Sequence, residues 1–104
     1  MDKDRLDLLP TRALREVAKA YKSGIDKGYA PWAWRNGSPW RAKQMAAAMR
    51  HIWSWLEGED ADEESGAHPL AHAASRLLIL VEFAKDKRYA RFDDRKDALR
   101  EPKK

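Results

Sequence analysis

The chain has 104 residues, with 21 Lys and Arg against 17 Asp and Glu, and 43% hydrophobic residues. That size fits one domain with a modest core, and the absence of Cys excludes disulfides, thiol nucleophiles and Cys-based zinc sites. The most apolar run, Leu77 to Val81, falls far short of the ~20 residues of a membrane span. The N-terminus has no apolar stretch of signal-peptide type, so a cytoplasmic protein without membrane contact is expected.

The periodicity predicts an all-α fold, a small bundle of three main helices near 10–27, 39–57 and 69–88. In the first, Pro10 suits an opening turn. Leu14, Val17, Ala18, Tyr21 and Ile25 form an apolar stripe, and Gly28 is the stop. Residues 28–38 read as a loop from Gly28, Pro31, Asn36, Gly37 and Ser38. The second helix starts with Ser38 as cap and Pro39 at its first position. Its stripe is Met45, Ala48, Met49, Ile52, Trp53 and Leu56, with Lys43, Arg50 and His51 off that stripe. Gly58 ends it. The third helix opens at His68 and Pro69. Its stripe is Leu70, Ala73, Ala74, Leu77, Val81 and Ala84, and Leu78, Ile79, Leu80 and Phe83 add apolar surface on other faces.

A helix that is apolar nearly all round must be covered nearly all round. Two partner helices do not suffice, so a homo-oligomer built on helix 69–88 is expected, with Leu78 and Phe83 as contact residues. Residues 1–104 form a single domain in this reading, with 89–104 as a polar, loosely ordered tail.

Charge is unevenly spread. Residues 57–64 hold six carboxylates, and without them the rest of the chain carries +10. All three His, at 51, 68 and 72, flank this acidic loop. His68 and His72 are one turn apart on the third helix, and antiparallel packing of the second helix on the third brings His51 towards His72. Glu59, Asp62 and Glu64 lie between. Carboxylates with a few imidazoles suit a divalent ion such as Mg²⁺, Mn²⁺ or Zn²⁺. The alternative is a solvated acidic loop with His residues that cap and pack. Residues 60–65 open like an EF-hand loop but place Ser65 where Gly is required. P-loop and HExxH patterns are absent, and so is a nucleophile elbow. The positive charge is spread over all helices without a recognition helix, so nucleic acid is not the expected partner.

Several segments together resemble a known family: Arg5 to Pro10, Gly24 to Tyr29 with Trp34, Arg50 to Asp60, Asp62 with Glu64 to Gly66, Leu70 to Ala73, and Asp93 to Arg95. They are similar to the phage- and bacteria-encoded dATP/dGTP diphosphohydrolase N-terminal domain, related in fold to MazG-type nucleotide pyrophosphohydrolases. The resemblance implies Mg²⁺- or Mn²⁺-dependent hydrolysis of a purine nucleoside triphosphate to monophosphate and pyrophosphate, in the host cytoplasm where the protein is phage-encoded. It implies Glu59, Asp62 and His51 as catalytic residues and Glu59, Asp62, Glu64 and His72 as metal ligands. Lys43, Arg50, Lys27 and Arg95 are then the candidates for phosphate, and Trp34 and Trp55 for the base. The chain departs from the family's pattern at Ala33, Pro69 and Arg76, and the acidic pair usual on the second helix is missing. A catalytically degenerate homologue that sequesters a nucleotide is the alternative.

Overall fold

The computed structural model describes residues 3–96. Among them stand three long helices and no strand: α1 (Thr11–Asp26), α2 (Ala46–Leu56) and α3 (Pro69–Ala84). A π-helical stretch, Trp40–Met45, leads directly into α2, and a 3₁₀ helix, Lys87–Phe92, follows α3. The all-α expectation holds. None of the described helices is long and apolar enough to cross a membrane.

α3 is the spine. Both α1 and α2 pack on it, far more than on each other, and the π-helical stretch and the 3₁₀ helix lean on it too. Its start is fixed from two sides. Pro69 occupies the first turn, where a missing N–H costs nothing, and the His68 ring accepts the Leu70 N–H at 3.1 Å. The His68 N–H in turn donates to Glu16 Oε2 at 3.0 Å, which ties the start of α3 to α1. Expected to reach residue 88, α3 ends at Ala84 instead, and the Asp86 carboxylate caps the 3₁₀ helix by accepting the Arg88 N–H.

The helical period is as expected, and of the expected stripes Val17, Ala48 and Ala73 are buried, but the buried faces differ in their large residues. On α1, Val17 and Ala20 are buried while Leu14 and Ile25 are 41% and 48% exposed. On α2 the buried residues are Ala47 and Ala48, whereas Met49, Trp53 and Leu56 lie outside. On α3, Ala71, Ala73, Ser75, Ile79 and Phe83 are buried, and Leu70, Leu77, Leu78 and Val81 are exposed. Small side chains at the contact let the helix axes approach, so the alanines went inside.

The large-residue core is Ile79, Phe83 and Tyr89, with Tyr21, Trp34, Trp40, Leu80 and Phe92 packed against it. Phe83, expected at a subunit contact, is therefore a core residue at 1% exposure. The segment from 89, expected to be loosely ordered, carries structure as far as residue 96. Tyr89 is buried, its ring 4.4 Å from Phe83, and its hydroxyl donates to the Arg35 carbonyl at 2.8 Å. The rest of the expected tail, 97–104, lies outside the described residues. Asp94 supplies the cap expected of Ser38: its two carboxylate oxygens accept the backbone N–H groups of Arg41 (2.6 Å) and Ala42 (3.0 Å). Ser38 is occupied by the Gln44 side chain instead.

Gly37 is the tightest of the described glycines. Its φ of +86° belongs to glycine, and a Cβ there would overlap the Phe92 ring. Gly37→Ala is expected to cost about 2 kcal/mol or more, combining backbone strain with displacement of Phe92. Urea denaturation measures it, and an unchanged midpoint would refute the close packing.

Candidate functional site

The acidic loop is organised by one of its own carboxylates. Asp62 Oδ2 accepts the N–H groups of Glu64 (3.1 Å) and Ser65 (2.9 Å) and lies 3.0 Å from Ser65 Oγ. Its backbone closes the same loop, with the Asp62 N–H on the Ala67 carbonyl and the Gly66 N–H on the Asp62 carbonyl, both at 2.8 Å. These bonds, those from Ser65 foremost, hold the Asp62 carboxyl below the usual carboxylate range.

Ser65 passes this order on to α3. Its Oγ lies 2.7 Å from His72 Nε2 and accepts the Ala67 N–H at 3.1 Å. Ser65 has one hydroxyl proton, and an ionised Asp62 can only accept. The hydroxyl therefore donates to Asp62, and His72 Nε2–H donates to the hydroxyl. This tautomer leaves His72 Nδ1 as a lone pair. The His51 ring stacks on His72, centroids 4.7 Å apart and planes at 17°. So His51, expected off the packed face of its helix, faces inward, and the structure brings the two His together as the spacing predicted.

Both imidazoles are held below their ordinary pKa. Burial is the main cause for each. The nearby His72 adds to the depression at His51, while Asp62 opposes it at both rings. Two stacked rings that are neutral near pH 7 can accept a proton from water or substrate.

The other expected residues are scattered. Glu64 pairs with Lys27 at the end of α1. Glu59 is exposed, and among the described residues its side chain has no hydrogen-bond or ion-pair partner; its N–H closes the end of α2 on the Ser54 carbonyl at 3.1 Å. Lys43 and Arg50 are exposed. Arg95 is held by Asp93 and lies over Trp40, away from the His pair. Trp34 is packed against Phe83, and Trp55 is 41% exposed on α2. His68 caps α3, as described above. Missed as site residues in the sequence were Ser65, although it lies in a segment that carries the resemblance, and Lys19, Lys22 and Ser23. Those three line an open cleft of about 470 Å³ between α1 and the acidic loop, together with Asp26, Lys27, Glu64 and Ser65.

Among the described residues no three His, Asp or Glu side chains are grouped to hold a metal ion. Two of the three carboxylates expected as ligands are engaged, Asp62 with its loop and Glu64 with Lys27, and the third, Glu59, is exposed. The four expected ligands thus do not form a protein cage for a divalent ion.

Residues 1–95 match the family described as dATP/dGTP diphosphohydrolase, N-terminal, and the chain belongs to that family. No curated protein matches, and no solved structure does.

The depressed imidazoles set a pH dependence. Below pH 6.5 the unfolded chain protonates these His while the folded chain resists. Their contribution to stability is complete above that pH and declines as pH falls through 6.5 towards the folded-state values. The Asp62 contribution is lost in a separate window, below pH 3.8. The melting temperature is expected to drop between pH 7.5 and 5.5, and His51→Gln to flatten that drop.

Proposed function

We propose that the protein hydrolyses a purine nucleoside or deoxynucleoside triphosphate between its α- and β-phosphates, releasing monophosphate and pyrophosphate. The observation that carries this reading is the stacked His51–His72 pair, neutral near pH 7 and oriented through Ser65 and Asp62, in a chain of the diphosphohydrolase family. The pair supplies proton acceptors, and the exposed Arg50 beside His51 supplies positive charge for a triphosphate. Mg²⁺ or Mn²⁺ belongs to the proposal as the counter-ion of the triphosphate. Mg²⁺ is commonly held by one or two carboxylates plus substrate phosphates, without an all-protein cage.

A second reading has its own support. With Asp62 and Glu64 engaged and no acidic pair on α2, a homologue that binds a nucleotide without hydrolysing it fits the same pocket. Incubation with a panel of NTPs and dNTPs, with Mg²⁺ or Mn²⁺, separates the two. The enzyme releases pyrophosphate, and His72→Gln should lower kcat by about 100-fold or more while leaving the helix content unchanged. Retained nucleotide without pyrophosphate would replace the enzyme with the binding protein.

Assembly into a homo-oligomer through the outer face of α3 is part of the proposal. Leu77, Leu78 and Val81 are exposed there, and Met49, Trp53 and Leu56 are exposed on α2. A groove of about 390 Å³ runs along Leu77, Leu80, Val81 and Ala84, closed by Trp40 and Met45. The radius of gyration, 15.6 Å, exceeds the ~13 Å of a compact chain of this length. Light scattering is expected to show a dimer or tetramer, and Leu78→Glu with Val81→Glu to shift it to monomer. A wild-type monomer at micromolar concentration would refute this.

A further inference from the structure

Arg76 lies in the middle of α3, one turn beyond His72 and on the same side of the helix. It is partly buried, and among the described residues its side chain makes one hydrogen bond, from Nη1 to Gln44 Oε1 at 3.2 Å. A guanidinium has five N–H donors. No described carboxylate pairs with it: the acidic side chains in ion pairs serve Arg5, Lys19, Lys22, Lys27, His72, Arg88 and Arg95. The charged group close enough to act on it most strongly is another cation, Arg50, with the phenols of Tyr21 and Tyr29 beyond. Burial and that like charge both push the guanidinium below its ordinary pKa, yet arginine stays charged in proteins.

The position is also prearranged. In the π-helical stretch the Gln44 N–H reaches back five residues to the Pro39 carbonyl at 3.2 Å. That winding turns the Gln44 side chain inward to 3% exposure. Its amide nitrogen is engaged by Ser38 Oγ at 2.8 Å, so its oxygen is left to aim at Arg76. Hence a cation costly to bury is fixed beside two neutral imidazoles and a second arginine, with most of its donors unused. An oxyanion would complete this arrangement, and a guanidinium fork matches a phosphate with two parallel hydrogen bonds.

We propose that Arg76 is an oxyanion-binding residue of this site, receiving a phosphate of a polyphosphate ligand beside Gln44, Arg50 and His72. This rests on the nucleotide reading of the site but is tested without turnover. Calorimetry measures binding of inorganic pyrophosphate and tripolyphosphate in EDTA to wild type, Arg76→Met and Arg76→Lys. Thermal melting of the same proteins without ligand gives a second readout. Arg76→Met is expected to raise the melting temperature without ligand, because it removes an unpaired buried charge. It should weaken polyphosphate binding at least ~10-fold. Arg76→Lys, which keeps the charge but loses the fork, should fall between.

Wild-type affinity in Arg76→Met overturns the proposal, as does a wild type that binds neither anion. A lowered melting temperature with unchanged affinity assigns Arg76 to the Gln44 contact alone and overturns it too. A changed oligomeric state with unchanged affinity overturns it in favour of a subunit contact. If wild type hydrolyses a triphosphate and Arg76→Met keeps its KM, this inference fails and the hydrolase reading stands. If polyphosphate binding depends on Arg76 and no nucleotide is turned over, the inference stands and the hydrolase reading fails.

Discussion

α1, α2, the π-helical stretch and the 3₁₀ helix Lys87–Phe92 all lean on α3. With α1 on one side and α2 on the other, and little contact between those two, the fold is an open layer with one shared helix. The arrangement demands that α3 be apolar in several directions, which its sequence is. It also leaves the outer surfaces of α2 and α3 bare. The same geometry places polar groups from both flanks against one stretch of α3: Glu16 and Tyr21 from α1, Gln44 and His51 from the α2 side. His72 and Arg76 meet the α2 side.

The division of labour among charges follows. Several carboxylates in this chain serve as backbone acceptors, some of them in ion pairs as well. Asp62 closes its loop, Glu16 holds the start of α3, Asp86 starts the 3₁₀ helix, and Asp94 caps the π-helical stretch. Each use fixes a chain reversal or a helix terminus, where unpaired N–H groups must find acceptors. Positive charge is less consumed, and Arg76 and Arg50 keep donors in reserve beside the paired imidazoles. The site joins local order on the acidic side to unspent charge on the basic side.

The helices were legible because their signals are local. Pro69 at a first turn, Gly58 after Leu56 and apolar residues three or four apart mark elements without knowledge of the rest. The faces were not legible, since several apolar stripes on α3 compete and only the tertiary contact selects the one through Ala71, Ile79 and Phe83. His51 was misplaced for the same reason: a ring that looks polar beside Ile52 and Trp53 becomes the inner one when small Ala47 and Ala48 form the seam. The meeting of His51 with His72 did follow from spacing and antiparallel packing. A run of acids shows charge but not which oxygens the backbone claims, so the engagement of Asp62 by its own loop was not legible. Nor could Tyr89 and Asp94 be found, lying as they do in a stretch whose composition is that of a tail.

The cap from Asp94 has a consequence for how the chain comes to be folded. The N–H groups it accepts belong to residues 53 and 52 positions earlier. During synthesis, therefore, the start of the π-helical stretch and α2 stays without its acceptor until residue 94 has left the ribosome, after α3 and the 3₁₀ helix are already available. Such a long closure is slow relative to helix growth. Nascent chains halted short of that point hold helical segments whose docking is unfinished, with the apolar flank of α2 open to chaperones. Completion of this small fold thus waits on residues 89–94, which bring Tyr89 and Phe92 to the core and Asp94 to its cap.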